Sequence, residues 1–197
     1  MSERVFLARH CVTEANIKHQ LAGSTDLPLS DLGCQQAKDM ALRINTSMID
    51  AVFASPMKRT LQTARICFPN SHIKTMDELR EIDFGEWECL TIDQAQEQDY
   101  ERFKHWQNLD QNFGFPSGEN MESFSARTEV AAKLLRNRPE KNIMVFTHAG
   151  TVKIMLCHYL GLAVSYMQKF NIETGKVSSL ELFDGGAALS GLNKDSI

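Results

Sequence analysis

No apolar run in this sequence is long enough to span a bilayer: the longest candidate, residues 154–164, is interrupted by His158, which excludes a membrane-spanning helix. The first residues, Met1-Ser2-Glu3-Arg4, lead straight into a strand pattern without the long apolar region of a signal peptide, so a soluble, cytoplasmic protein is expected. Cysteine is scarce and unpatterned. Five of them, an odd number at irregular positions, make neither a disulfide framework nor metal-ligand spacing, and fit a reducing cytosol. An excess of positive charge is also missing: 21 Lys and Arg against 25 Asp and Glu leave a net charge of -4. Nucleic acid and anionic membranes select basic surfaces, so neither is the expected partner. A small anionic substrate stays open, because the local field of a cleft matters more than the sum. There is no internal repeat and no linker. With 197 residues, 43% of them hydrophobic, the chain can build one real core, and a single domain over 1–197 is expected.

What the chain does have is three apolar runs that end abruptly in chemistry. Val5-Phe6-Leu7-Ala8 runs into Arg9-His10-Cys11; Asp50-Ala51-Val52-Phe53-Ala54 runs into Ser55-Pro56 and then Arg59; Asn142-Ile143-Met144-Val145-Phe146 runs into Thr147-His148-Ala149-Gly150. In an open α/β sheet, ligands bind outside the carboxyl ends of the strands. Three strand ends thus deliver two arginines and two histidines. Guanidinium groups make charge-assisted bidentate bonds to phosphate oxygens, so the cluster points to a phosphate. A histidine among them points past binding, since imidazole is a nucleophile at neutral pH and can form a phosphohistidine that water later opens.

The segments between the strands read as helices and turns. Ser30 is an N-cap candidate ahead of Leu32, Ala37, Met40, Ala41 and Ile44 at helical spacing. Ser55-Pro56 starts the next helix, with Arg59 in its first turn. A cation there opposes the helix dipole, so its place at a third strand end marks it as a phosphate contact. Residues 77–89 are dense in acids, most of them expected on a solvated face, and one near the phosphate could protonate a leaving oxygen. Spacing alone leaves Glu78, Glu81 and Glu86 open. Residues 91–117 carry Tyr100, Phe103, Trp106, Phe113 and Phe115 without a strand signal, either a substrate lid or a satellite core. Residues 122–138 read as a helix with Phe124, Val130, Ala131, Leu134 and Leu135 on its apolar face; 151–160 as an apolar helix in which His158 is structural; Val177–Phe183 as a last strand at the sheet's margin; and 184–197 as a mobile tail.

Leu7-Ala8-Arg9-His10-Cys11-Val12-Thr13-Glu14-Ala15-Asn16 resembles the signature of the histidine phosphatase superfamily, which includes the cofactor-dependent phosphoglycerate mutases and usually reads Arg-His-Gly-x-Ser/Thr-x-x-Asn. Further pieces follow in family order: Leu27-Pro28-Leu29-Ser30-Asp31-Leu32-Gly33, Ser55-Pro56 with Arg59, Glu78-Leu79-Arg80-Glu81 with Phe84-Gly85 and Trp87-Glu88, Gly118-Glu119, and Thr147-His148-Ala149-Gly150. The resemblance covers nearly the whole chain. Two departures stand out: Cys11 replaces the usual glycine, and Cys89 stands where the phosphatase branch commonly has glycine. A glycine required beside the nucleophile for close approach or positive φ would make Cys11 tilt His10, and a thiol there would make activity sensitive to thiol reagents.

The resemblance implies a three-layer α/β/α sandwich with a mostly parallel central sheet, helices on both faces and a helical or loop insertion over the active site. It implies a metal-independent phosphomonoesterase without a cofactor: His10 attacks phosphorus; Arg9, Arg59 and His148 bind the equatorial oxygens; Thr13 and Asn16 add hydrogen bonds; and Glu81 is the acid/base. The pieces Phe84-Gly85-Glu86-Trp87-Glu88 and Pro116-Ser117-Gly118-Glu119-Asn120 are most similar to the α-ribazole phosphatase branch of cobalamin biosynthesis and its broad-specificity relatives. A small phosphate ester is the expected partner, with a homodimer left open. The alternatives are a cofactor-dependent phosphoglycerate mutase, for which the chain is short, and a catalytically weak phosphate-binding regulator.

Overall fold

The computed structural model describes residues 2–108 and 113–197. Its centre is a six-stranded sheet in the order β3-β2-β4-β1-β5-β6. Strands β1 (Arg4–Arg9), β2 (Ala51–Ala54), β3 (Ile73–Thr75) and β4 (Asn142–Thr147) run parallel, while β5 (Val177–Phe183) and β6 (Gly186–Lys194) are antiparallel additions beside β1. The inner parallel strands carry near-continuous apolar runs because they are covered on both faces. Val5, Leu7, Phe53, Ile143 and Val145 point to one side, where α6 (Met121–Arg136) and α7 (Ala149–Leu160) supply Ala131, Leu135, Val152, Met155 and Leu156. Phe6, Ala8, Val52, Met144 and Phe146 point to the other, against α2 (Asp31–Ala41) and α3 (Lys58–Cys67) with Ala37, Met40, Ala64 and Cys67. This is the expected α/β/α sandwich.

Several local expectations need correction. Residues 184–197 are not a mobile tail: 186–194 form the edge strand β6, so β5 is not marginal. Asp184-Gly185 is a two-residue hairpin turn with Gly185 at φ +84°, which pairs Phe183 with Gly186. Val130 and Leu134 are half exposed on α6. Its buried stripe is Met121, Phe124, Thr128, Ala131, Ala132 and Leu135, a 3-4 spacing that leaves Val130 and Leu134 turned away. Leu32 is likewise exposed on α2, and Gly33 takes the inner position, where an added Cβ would lie 1.9 Å from the Val12 carbonyl oxygen. Pro56 precedes the helix by two residues, with Met57 as the N-cap of α3.

The excursion over the sheet's carboxyl edge contains α4 (Ile92–Gln98), capped by Thr91 and Gln94, and α5 (Tyr100–Gln107), capped by Asp99. Part of the expected lid, 109–112, lies outside the described residues. Trp87, Phe103, Phe113, Phe115 and Phe124 form a third apolar cluster beneath it. Among the described residues, no helix is long and apolar enough to cross a membrane.

Candidate active site

Parallel pairing brings the three strand ends level: Arg9 lies opposite Thr147 and Ala54 opposite Phe146. Just past them, the His10 amide donates to the Thr147 carbonyl at 2.9 Å and the Ser55 amide to that of Phe146 at 2.9 Å. His10, Ser55 and His148 thus converge on one edge, as the apolar-run endings predict.

His10 is 5% exposed, with Nδ1 2.7 Å from the Cys11 carbonyl oxygen. A carbonyl can only accept, so Nδ1 carries the proton and Nε2 of the neutral ring carries the lone pair. Burial, then Arg59 and Arg9, holds the His10 pKa well below the ordinary value of 6.5. The ring is therefore an available nucleophile. Cys11 does not disturb it. Its φ is not positive, its side chain packs in the core with Ala37 and Ala64, and its amide donates to Thr63 Oγ1 at 3.1 Å. Burial pushes the Cys11 thiol up to about 12, which disfavours the reactive thiolate at this position. Cys89 differs: it is exposed at φ +63°, a conformation that suits the glycine it replaces.

The two arginines have different work. Arg9 Nη1 donates to the Ile172 carbonyl at 2.6 Å, and its buried Nε has no partner among the described residues. Arg59 is 1% exposed and engages four of its five donors within the protein. Nε donates to His148 Nδ1 at 3.2 Å, Nη1 to the Thr25 carbonyl at 2.9 Å, and Nη2 to those of Ala22 and Gly23 at 3.3 and 2.8 Å. One Nη1–H remains. Glu88 completes the same loop by accepting from the amides of Gly23, Ser24, Thr25 and Phe84 and from Thr25 Oγ1. Arg59 therefore contributes charge and order more than a free bidentate fork.

His148 is fully buried with both ring nitrogens engaged. Nδ1 accepts from Arg59, so Nε2 carries the proton and donates to Ser55 Oγ at 2.9 Å. Burial, then Arg59, keeps its pKa well below 6.5. Its ring meets that of His10 edge-on at 5.3 Å. It stands behind the cavity surface.

Glu81 sits at the start of α7. Oε2 accepts from the Gly150 amide at 2.8 Å, and Oε1 from the amides of Ile82 and Thr151 at 3.1 and 3.2 Å. Free N–H groups and the dipole at a helix N-terminus suit a carboxylate there. Arg127 fixes the backbone beneath, donating to the carbonyls of Glu78, Arg80 and Glu81 while paired to Glu119. Thr13 caps α1 (Glu14–Ile17) in a reciprocal box with Asn16. Asn16 Oδ1 accepts from Thr13 N and Oγ1, so its amide nitrogen is the end left for a ligand.

These parts surround a cavity of about 330 Å³. Arg9, His10, Thr13, Asn16, Arg59 and Glu81 line one part of it, and Glu81 is its single carboxylate among the described residues. Glu78 and Glu86 do not reach it. Leu21, Ile82, Phe84, Trp106, Phe115 and Met167 form an apolar wall, so the aromatic excursion is both core and cavity lining. Gln20, Lys153 and Gln168 also line it and escaped the sequence reading. The one signal for Lys153 was a cation inside an otherwise apolar helix.

The family model described as "Histidine phosphatase superfamily (branch 1)" matches residues 5–195. The chain is similar to the adenosylcobalamin/alpha-ribazole phosphatase of Escherichia coli, 28% identical over 197 residues and covering 98% of this chain and 97% of that protein. It is also similar to phosphoserine phosphatase 1 of Hydrogenobacter thermophilus, 27% identical over 182 residues, 91% of this chain and 86% of that protein. The crystal structure of the alpha-ribazole phosphatase from Shigella flexneri superposes with a TM-score of 0.90 at 27% identity, covering 98% of each chain.

Proposed function

The chain belongs to the histidine phosphatase superfamily, and from that premise we propose that it hydrolyses a small phosphate monoester through a phosphohistidine on His10. The observation that carries the reading is the fixed tautomer of His10. Nδ1–H is committed to the Cys11 carbonyl, which leaves the Nε2 lone pair in a cavity that also holds two guanidinium groups and one carboxylate.

In the first step Nε2 attacks phosphorus, the P–O bond to the alcohol breaks, and Glu81 gives its proton to the departing oxygen. In the second, water attacks the phosphohistidine, Glu81 takes its proton, the P–N bond breaks and phosphate leaves. Arg9 and the free Nη1–H of Arg59 bind the phosphoryl oxygens, joined by the amide of Asn16. Positioning and charge supply most of the rate in phosphoryl transfer. His148 acts through Arg59 and His10, whose orientation it fixes from behind. The scheme asks nothing of a metal.

α-Ribazole 5′-phosphate, taken from the names of the relatives, is the substrate to assay first. Phosphoserine is the second, and the cavity offers its ammonium no carboxylate besides Glu81. Phosphate release from both, from 3-phosphoglycerate and from an aryl phosphate, measured in chelator for wild type and His10→Ala, tests the reading. Release by the wild type and none by the variant is expected. Isomerised phosphoglycerate without release would make the chain a mutase, and binding without turnover would make it a regulator.

A further inference from the structure

One charged side chain of the cavity has no task in the scheme above. Lys153 lies on α7, three residues beyond the Gly150 amide that holds Glu81, and lines the same cavity. Among the described residues its ammonium enters no hydrogen bond or ion pair, and its electrostatic neighbours are Glu81 and Arg9. Burial lowers its pKa from the ordinary lysine value, an effect that Glu81 offsets and Arg9 reinforces. Lys153 is half-buried, and its three N–H donors have no partner among the described residues while it lines the cavity.

Charge balance says what would meet them. The ionisable side chains lining the cavity besides His10 are Arg9, Arg59, Lys153 and Glu81. His10 is neutral, and so is His148 behind it. When Glu81 holds the proton destined for the leaving oxygen, three cations face a phosphate dianion. One positive charge stays unmatched. Arg59 is bound into the 22–25 loop and Arg9 adjoins the nucleophile, so the unmatched cation is Lys153.

We propose that Lys153 binds a single negative charge on the leaving alcohol, a carboxylate, so that the cavity selects phosphate monoesters with an apolar body and one acidic group. The apolar body matches the wall of Leu21, Ile82, Phe84, Trp106 and Phe115. The inference rests on the phosphomonoesterase reading and refines it: α-ribazole 5′-phosphate would fill the wall and leave Lys153 with hydroxyls alone.

The test uses two esters of one shape, 4-carboxyphenyl phosphate and 4-carbamoylphenyl phosphate, and reads the ratio of their kcat/KM values. A charge-assisted hydrogen bond corresponds to roughly tenfold or more in such a ratio. Wild type should favour the carboxylate by about that factor, Lys153→Met should bring the ratio close to one, and Lys153→Arg should keep most of it. A ratio near one in the wild type, or an equal fall on both esters in Lys153→Met, overturns the proposal and assigns Lys153 to the phosphate or to Glu81. Competition binding of the two esters separates this from the hydrolytic reading. Preference in binding without turnover keeps the Lys153 site and discards hydrolysis, whereas equal binding discards the site.

Discussion

Gly150 and Glu81 are built around each other: the Gly150 amide donates to Glu81 Oε2 at 2.8 Å, and a Cβ on residue 150 would lie 2.5 Å from Oε1. The carboxylate can take its place only while position 150 has no side chain. Gly150→Ala should therefore push Glu81 aside and lower kcat by about 10²-fold, within the range of a general acid, as should Glu81→Gln. Steady-state kinetics on a poor leaving group checks this. An unchanged rate in Gly150→Ala would show that the seat of Glu81 is not required.

The buried histidines make stability depend on pH in a definite direction. His10 and His148 are neutral in the folded state well below pH 6.5, whereas the unfolded chain takes up protons there. Stability is then present above pH 6.5 and is lost as pH falls below it, by up to about 1.4 kcal/mol per pH unit for each histidine. Denaturant unfolding at pH 7.5 and 5.5 should show the loss, and His148→Gln should flatten it. A wild type equally stable at both values would contradict the burial of these rings as neutral groups.

Cys89 and Cys11 should respond oppositely to chemistry. Cys89 is exposed and sits at φ +63°, while Cys11 is fully buried with its thiol pushed up to about 12. A thiol reagent on the native protein should label Cys89 and spare Cys11. Cys89→Gly should lose that label and gain about 0.5–1 kcal/mol, since left-handed backbone costs a non-glycine residue about 1–2 kcal/mol and the added glycine entropy returns part of it. Peptide mapping and thermal melting read both effects. Labelling of Cys11 with loss of activity would restore the expectation that this thiol guards the nucleophile.

Arg59 ties His148 to the loop carrying Ala22, Gly23 and Thr25 through four hydrogen bonds. Lysine keeps the charge and loses the fork. Arg59→Lys should destabilise the protein by roughly 2–3 kcal/mol, at about 1 kcal/mol for each lost bond, and should impair turnover as well. If only activity falls, Arg59 serves the phosphate rather than the loop.

The strand ends were legible because β1, β2 and β4 are buried on both faces and read as continuous apolar runs that stop at Arg9, Ser55 and Thr147. Which acid faces the cavity was not legible from spacing. Glu78, Glu81 and Glu86 look alike in sequence; only the family resemblance implies Glu81, and the first turn of α7, far along the chain, is what holds it there. The ring nitrogens of His148 bond Arg59 and Ser55 behind the cavity lining, partners that a linear reading cannot pair. Lys153 was lost inside a helix whose other residues are mostly core. The Asp184-Gly185 turn was a readable hairpin signal, masked by the small residues of β6. Val130 and Leu134 are as apolar as their buried neighbours, and the two faces of α6 separate only once the sheet is in place.

In the proposed hydrolysis His10 Nε2 carries the phosphoryl group between substrate and water. The most direct measurement of this transfer is an acid-avoiding quench of the wild type during turnover of an aryl phosphate, followed by peptide mass analysis. The account predicts a phosphoryl group on the peptide containing His10, formed and consumed at rates matching turnover, and absent from His10→Ala. Turnover with no phosphoryl group on His10, or with full activity in His10→Ala, would contradict it.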